Sequence, residues 1–472
     1  MVINIKYKIV AKYIRNKILK GDWFLGMKIP SHRKLAEQFN VNRVTIIKSI
    51  ELLESEGFIF TKKGSGTYVN DYLNYRSTLN NWSHTMEWSA KSRSEYTVQL
   101  INKLETDSNY IHISKGELGK DLIPENKLQQ AMISVSKYIG DLSFGYNNGY
   151  GYLNLRKLIA QRLQKDGIDI SFENILITSG ALHAIQLLIT GFLSQNSTIF
   201  INTPSYIEST HAFDGFHMKK LRIPYTNLHN FKKIIDNYSH TTEGALYIEP
   251  TFNNPTGKSL STETKKDIMK YCQTHNIPVI EDDIYRDLYF TPKPNSSIKS
   301  LDKNGSVIHI SSFSKSVAPA LRIGWIAASE KVIEQLADIR MQSDYGSSIL
   351  SQMVIYELLK NGDFDAHVTH LRKMLKDKRD YMLAILNQHF SHIANWTVPE
   401  GGFFIWVTFN KNINIKQVFF DLINKENILI NPGYIYGSKD NTIRLSFAYE
   451  TEENIQTALI QIKRYANQYI NN

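Results

Sequence analysis

The sequence of 472 residues has a single cysteine, Cys272, which excludes an internal disulfide and offers no zinc-ligand pair. It therefore reads as a small core hydrophobe. The first 30 residues hold no continuous apolar run and carry repeated Lys and Arg instead, a pattern that fits neither a signal peptide nor a membrane span. The expectation is a cytoplasmic protein that makes no membrane contact. Apolar residues are not scarce: at 42%, with 11% aromatic, they fill two or three cores and exclude a disordered chain. Acidic residues are scarce in one place. Residues 1–70 hold 5 Asp and Glu against 13 Lys and Arg, so they carry most of the net charge of +10. A basic module on a near-neutral body is the footprint of a nucleic-acid reader, although charge alone serves a solubilising surface equally well.

Periodicity divides that basic segment. Ile9, Val10, Tyr13, Ile14 and Ile18 recur at helical spacing from Lys6 to Lys20, and Gly21 stops the helix. Pro30 and Ser31 start a second helix, with Ser31 as N-cap and a body from Lys34 to Phe39. After a break at residues 40–42 a third helix runs from Arg43 to Glu56, with Val44, Ile47, Ile50, Leu52 and Leu53 as its apolar set. Two short helices joined by a tight turn form a helix-turn-helix, whose second helix enters the major groove N-terminal end first. Two β-prone runs, 58–61 and 67–69, flank Lys62-Lys63-Gly64-Ser65-Gly66 and predict a hairpin wing. The order of Gly21, Gly26, Ile29 to Ala36, Val41 to Thr45, Leu53 to Gly57 and Gly64 to Val69 closely resembles the GntR-type winged helix. That resemblance implies DNA contacts from Arg33, Asn42, Arg43, Thr45, Lys63 and Gly66, with Asn42 standing where a Ser is usual. Taken alone, Arg33 reads equally as a surface ion pair.

Residues 70–110 lack a sustained period and are rich in Asn, Ser, Thr and Lys. They read as a linker with one helix near residues 95–104, and Trp82 and Trp88 read as docking contacts. Beyond residue 110, β-prone runs at 175–178, 198–201, 245–248, 278–280 and 307–310 alternate with amphipathic stretches. This alternation predicts an α/β domain on a largely parallel sheet, with its ligand site in the loops at the carboxyl ends of the strands. Those loops carry the chemistry. Thr178-Ser179-Gly180-Ala181 is a small-residue turn opening a helix, suited to an anion. Ser312, Ser314, Lys315 and Arg322 gather hydroxyls and cations around one turn, and a desolvated lysine there can react with an aldehyde. Asp282 offers a carboxylate able to keep a pyridine nitrogen protonated.

With Asn254-Pro255-Thr256-Gly257, Asp282-x-x-Tyr285, Ser312-x-Ser314-Lys315 and Arg322-x-Gly324-Trp325 in this order, residues 110–470 resemble the fold-type I pyridoxal-phosphate aminotransferases. The resemblance implies Lys315 as the Schiff-base lysine, Asp282 on the ring nitrogen, and Asn254 and Tyr285 on the ring hydroxyl. It implies Tyr206 stacked on the ring, with Ser312, Ser314, Arg322 and the backbone of Gly180 and Ala181 around the phosphate. Arg444 would clamp a carboxylate. Tyr146 would reach the phosphate of the neighbouring subunit, so a homodimer is implied. His183 stands where many relatives carry an amide, and the side of the site that Glu208 faces is open. No metal site is expected.

The expected organisation is a head at 1–70, a linker at 71–109 and an aminotransferase-like body at 110–472. A GntR-type head on such a body is the layout of the MocR/GabR family of regulators. It implies a DNA operator as partner and pyridoxal phosphate, or an amino compound, as effector. The competing reading is an active aminotransferase carrying a DNA-binding head.

Overall fold

The computed structural model describes residues 3–19, 22–23, 26–55, 58–62, 64–70, 96–137, 148–194, 197–214, 218–224, 228–236, 244–290, 292–438 and 441–470. In the head, α1 (Ile3–Leu19), α2 (His32–Phe39) and α3 (Arg43–Ser55) precede an antiparallel hairpin of β1 (Ile59–Lys62) and β2 (Gly66–Val69). Ser31 caps α2 by accepting from the Lys34 N–H at 3.3 Å. Asn40, in the left-handed region at φ 46°, ends that helix and makes the turn. Val10, Ile14, Leu35, Ile46, Ile50, Leu53, Phe58 and Val69 close one apolar cluster, each large side chain contributing about 1.5–3 kcal/mol by burial. The buried stripe of α3 is Ile46, Ile50 and Leu53 rather than a set that includes Val44, which is 57% exposed.

The helix Tyr96–Leu104 falls where a helix was expected, but it is not an isolated spacer. Val98 and Ile101 are buried in the largest apolar cluster of the body, together with Phe252, Tyr285 and Phe404. The short strand β3 (Ile111–His112) follows. The main sheet has seven strands: β4 (Ile175–Thr178), β5 (Thr198–Thr203), β6 (Lys219–Pro224), β7 (Gly244–Ile248), β8 (Val279–Asp282), β9 (Val307–Ser312) and β10 (Gly324–Ala327). Their order is β4-β10-β9-β8-β7-β5-β6, with β10 antiparallel to both neighbours and the pairs from β9 to β6 parallel. The five expected strands are present. β6 and β10 are additions: the first is edge-exposed and lacks a buried run, and the second is a four-residue strand inside a stretch read for its motif.

The smaller sheet, order β11-β12-β15-β14, is antiparallel and is made from β11 (Ala394–Trp396), β12 (Phe404–Phe409), β14 (Asn431–Pro432) and β15 (Thr442–Ser446). Between β12 and β14, β13 (Ile428–Leu429) pairs in parallel with β3 and so ties the start of the body to its C-terminal part. The 28-residue helix Asp363–Phe390 and the helix Glu452–Tyr469 supply Leu371, Leu375, Leu386, Leu459 and Ile462 to the core under this sheet. No described helix is long and apolar enough to cross a membrane.

Candidate functional site

Parallel strands deliver their last residues to one edge, and there the predicted residues meet. Thr178, Asp282 and Ser312 end β4, β8 and β9. Antiparallel β10 brings Gly324 between Thr178 and Ser312 in register. A Cβ at Gly324 would lie 2.8 Å from the Gly180 carbonyl carbon and 2.9 Å from the Ser311 oxygen, so only glycine lets this turn close over the sheet. A cavity of about 430 Å³ opens at this edge.

One wall of the cavity is built for an anion. Gly180, at φ 92°, starts the helix Ala181–Phe192 and aims that helix's free N–H groups outward. Arg322 donates from Nη2 to the Ser179 oxygen at 2.9 Å and also lines the cavity. Ser312 Oγ donates to Ser314 Oγ at 2.9 Å and accepts from the Ser314 N–H at 3.0 Å. His183 supports the turn, since its Nδ1 accepts from the Ser179 N–H at 3.1 Å. Burial, with Arg340 next, lowers the pKa of the imidazole and keeps that nitrogen free to accept.

The amine lines the cavity, and the acid ends β8 at the same strand edge. Lys315 Nζ donates to the Gly116 oxygen at 2.7 Å. Burial brings this amine down to about 8, with Glu117 opposing the shift and Arg444 adding to it. Asp282 Oδ2 accepts from the Tyr247 hydroxyl at 2.7 Å, whereas Oδ1 is buried and has no partner among the described residues. Burial pushes this carboxyl up to about 6, and Asp283 adds to the effect. The Tyr285 hydroxyl is likewise buried without a partner among the described residues. Its ring is fixed edge-on by Phe403 and Phe404 at 5.4 and 5.8 Å between centroids.

The opposite side is made by Tyr206, Asn254 and Arg444. The Tyr206 N–H donates to the Asn254 oxygen at 2.8 Å, and Asn254 Oδ1 accepts from Arg444 Nη1 at 2.8 Å. Arg444 stands on β15 with its guanidinium 4.0 Å from the centre of the Phe404 ring, and it also donates to the Ser114 oxygen. The Gly180-Ala181 turn, Tyr206, Asn254, Asp282, Tyr285, Ser312, Ser314, Lys315, Arg322 and Arg444 thus come together at one strand edge. Tyr146 lies outside the described residues, as do Lys63, Trp82 and Trp88.

Glu208 does not face the cavity. It is buried and receives Arg222 Nε at 2.6 Å, Arg222 Nη2 at 3.0 Å and Lys220 Nζ at 3.4 Å. Burial works against its charged form, but these cations hold its pKa below the usual carboxylate range.

Several residues of the site were not anticipated. Tyr247 orients Asp282, and Glu249 is buried and accepts from Ser205 Oγ at 2.7 Å and the Asn254 N–H at 2.9 Å. Burial and then Asp282 push Glu249 up to about 8. Their signal was present in the run Ala245 to Glu249, where a polar tip and an acid sit at the end of an apolar strand. Glu105, Lys115 and Glu117 also line the cavity. Behind the site, Glu281, Asp283 and His309 form a second buried polar group. Glu281 accepts from the N–H groups of Ile298 and Lys299 at 2.6 and 2.8 Å, so its oxygens are engaged by the protein.

In the head, Arg43 is exposed at the start of α3, the end that leads into a groove in this motif. Arg33 is 90% exposed and lies 3.5 Å from Glu37 across one helical turn, an ion pair that solvent weakens. Asn42 accepts at Oδ1 from the Thr45 N–H at 2.8 Å and from the Thr45 hydroxyl at 2.7 Å. Thr45, expected at the DNA face, is instead 4% exposed and committed to this helix start. Asn42 and Val44, on either side of Arg43, are both exposed. Gly66 has φ 132°, and a Cβ there would meet Lys28 Cε at 2.5 Å, so Lys28 joins the hairpin as a cation that the sequence did not single out.

The family "Bacterial regulatory proteins, gntR family" matches residues 6–69, and "Aminotransferase class I and II" matches residues 111–462. Among curated relatives, the HTH-type transcriptional regulator NorG of Staphylococcus aureus (strain USA300) is 62% identical over 439 residues, 93% of this chain and 99% of its own length. The HTH-type transcriptional regulator YdfD of Bacillus subtilis (strain 168) is 39% identical over 97% of this chain and 95% of its own. Among solved structures, LysN, the alpha-aminoadipate aminotransferase of Thermus thermophilus complexed with N-(5'-phosphopyridoxyl)-L-leucine, superposes with a TM-score of 0.73. It is 25% identical, and the match covers 82% of this chain and 98% of LysN. The kynurenine aminotransferase of Pyrococcus horikoshii gives 0.74 at 26% identity, covering 84% of this chain and 98% of that one. With a helix-turn-helix head, an aminotransferase cavity at the strand edge and these matches along almost its whole length, the chain belongs to the MocR-type family, in which a GntR segment is joined to an aminotransferase class I and II body.

Proposed function

We propose that this protein is a pyridoxal-phosphate-dependent transcription regulator, whose head reads a double-stranded DNA operator and whose body senses the cofactor or an amino compound. One observation carries the reading: a desolvated lysine, an anion-binding turn and the unpartnered Tyr285 hydroxyl converge on a single cavity, at the strand edge where the unpartnered Asp282 Oδ1 ends β8. An unsatisfied buried polar group costs about 1–3 kcal/mol, and a ligand that pairs Asp282 Oδ1 and Tyr285 Oη recovers that cost. Pyridoxal phosphate fits this donor set. Asp282 would hold its ring nitrogen, Tyr285 and Asn254 its ring hydroxyl, and Tyr206 its face. Ser312, Ser314, Arg322 and the Gly180-Ala181 backbone would hold its phosphate. The phosphopyridoxyl ligand in the related LysN structure supports this choice.

When bound, the cofactor supplies an aldehyde that amines add to and a ring that withdraws electrons. The chain's own groups set the conditions. A Lys315 amine held near 8 is partly uncharged at neutral pH and therefore nucleophilic. Arg444, anchored by Asn254 and Phe404, would take a carboxylate of the amino compound. Because the cavity is walled by the strand edge, by β15 and by the residues around the helix Tyr96–Leu104, a ligand that prefers one arrangement of these parts shifts the population of arrangements. On the DNA side, Arg33, Arg43 and Gly66, with Lys63, would face the duplex. A homodimer, with Tyr146 reaching the partner's phosphate site, completes the reading. Its organisation is the head at 1–70, a connection, and a body that takes in the helix at 96–104.

Purified protein treated with pyridoxal phosphate and then borohydride is expected to carry a pyridoxyl group on Lys315 Nζ by peptide mapping, and Lys315→Ala to carry none. Labelling elsewhere, or none at all, ends the cofactor reading. Operator affinity measured with and without the cofactor and amines is expected to change. Steady turnover of an amino donor and a 2-oxo acid without operator binding would favour the active aminotransferase.

A further inference from the structure

The side of the cavity away from the anion-binding turn carries charges of both signs. Arg444 and Lys115 are its cations, and Glu105 and Glu117 are its acids. Three of the four already have company. Lys115 and Glu117 pair with each other at 3.5 Å, with Lys115 also 4.4 Å above the Tyr449 ring. Arg444 is committed to Asn254 Oδ1, the Ser114 oxygen and the face of Phe404. Glu105 differs. It follows the helix Tyr96–Leu104, whose Val98 and Ile101 are locked into the core, so its backbone is held in place. Its carboxylate makes no hydrogen bond or ion pair with any described residue, yet it lines the cavity. Burial raises its pKa, with Arg444 opposing and Glu117 adding to the shift. A carboxylate in that state gains most from a cation delivered by a ligand.

Resting on the cofactor reading above, we propose that Glu105 selects the effector: an amino carboxylate whose side chain ends in a second, basic nitrogen. The three anchors divide the ligand. The reacting amine belongs at the Lys315 end, the carboxylate at Arg444, and the distal cation at Glu105. An amino acid with an acidic side chain would set two carboxylates against each other at Glu105, and one with a neutral side chain would leave the acid without a partner. Glu208, the acid closest in sequence to the stacking Tyr206, has no part in this choice, because Arg222 and Lys220 already neutralise it.

The test uses the full-length protein loaded with pyridoxal phosphate and titrated with L-ornithine, L-norvaline and L-glutamate, with the change in cofactor absorbance read as a dissociation constant. Ornithine is expected to bind about tenfold or more tighter than norvaline, the scale of one hydrogen bond to a charged group. Glutamate is expected to bind weakest. Glu105→Gln should reduce the ornithine preference to about twofold while leaving norvaline unchanged, and Glu105→Arg should favour glutamate. Equal binding of ornithine and norvaline by the wild type overturns the proposal. So does an equal effect of Glu105→Gln on all three ligands, which would mean that Glu105 acts only by restraining Arg444. If the protein forms no cofactor absorbance band, the cofactor reading itself fails first, and the proposal fails with it.

Discussion

Single residues at the two working ends of the chain separate holding the fold from doing the task. Asn42 and Thr45 bond to each other at the start of α3. Asn42→Ala should therefore lower the stability of the head by about 1 kcal/mol, the usual worth of an N-cap, as read by thermal unfolding. Arg43 makes no such bond among the described residues. Arg43→Ala should leave the melting profile alone and weaken operator binding by about 1–3 kcal/mol if it reads a base edge; an unchanged preference among operator variants would make it a backbone contact. The sequence could not separate these two roles, because Arg43, Val44 and Thr45 are consecutive and only the rotation of α3 about its axis decides which of them meets water. In the body, Lys315 gives a dependence on pH. Its pKa is depressed to about 8, so the uncharged amine gains as pH rises through that value. The rate of pyridoxyl-adduct formation should climb with a midpoint near 8, and a midpoint near the ordinary lysine value would mean that the amine is open to water. The same depression makes the folded protein gain stability as pH rises from about 8 towards the unfolded lysine value of about 10.4.

Among elements, β10, like β6, is a piece the alternating pattern did not reveal. Its four residues, Gly324 to Ala327, are all buried, but a run that short is indistinguishable from a loop until its neighbours are known. Its antiparallel course is a matter of sheet order, which has no local signature. Even so, the motif Arg322-x-Gly324-Trp325 was legible as chemistry. The fold explains the glycine: Gly324→Ala forces a methyl against Gly180 and Ser311. That substitution should cost about 1–3 kcal/mol of stability and should weaken cofactor binding out of proportion to Ala substitutions elsewhere in the core, as measured by absorbance titration. The helix Tyr96–Leu104 shows the reverse case. Its position was readable from its period, but its burial against Phe404 and Tyr285 was not, since polar neighbours on both sides made the whole stretch resemble a spacer.

For the molecule as a whole, the basic head and near-neutral body make different demands on solution conditions. Operator binding should weaken steeply with salt, and if Lys28, beside the hairpin, meets a phosphate, Lys28→Ala should reduce the log-log slope by about one unit; an unchanged slope would place Lys28 away from the duplex. Cofactor binding should be nearly indifferent to the same salt range, because Lys315, Asp282 and Tyr285 are screened by protein rather than by ions. Order along the chain adds a mechanical corollary. The first described helix after the wing is also a wall of the ligand chamber, and Glu105 sits at its end. Of the described elements that wall the chamber, this helix is thus the nearest in sequence to the head. A ligand drawing on that acid would load an element that lies, along the chain, between the DNA-binding end and the first strand of the seven-stranded sheet.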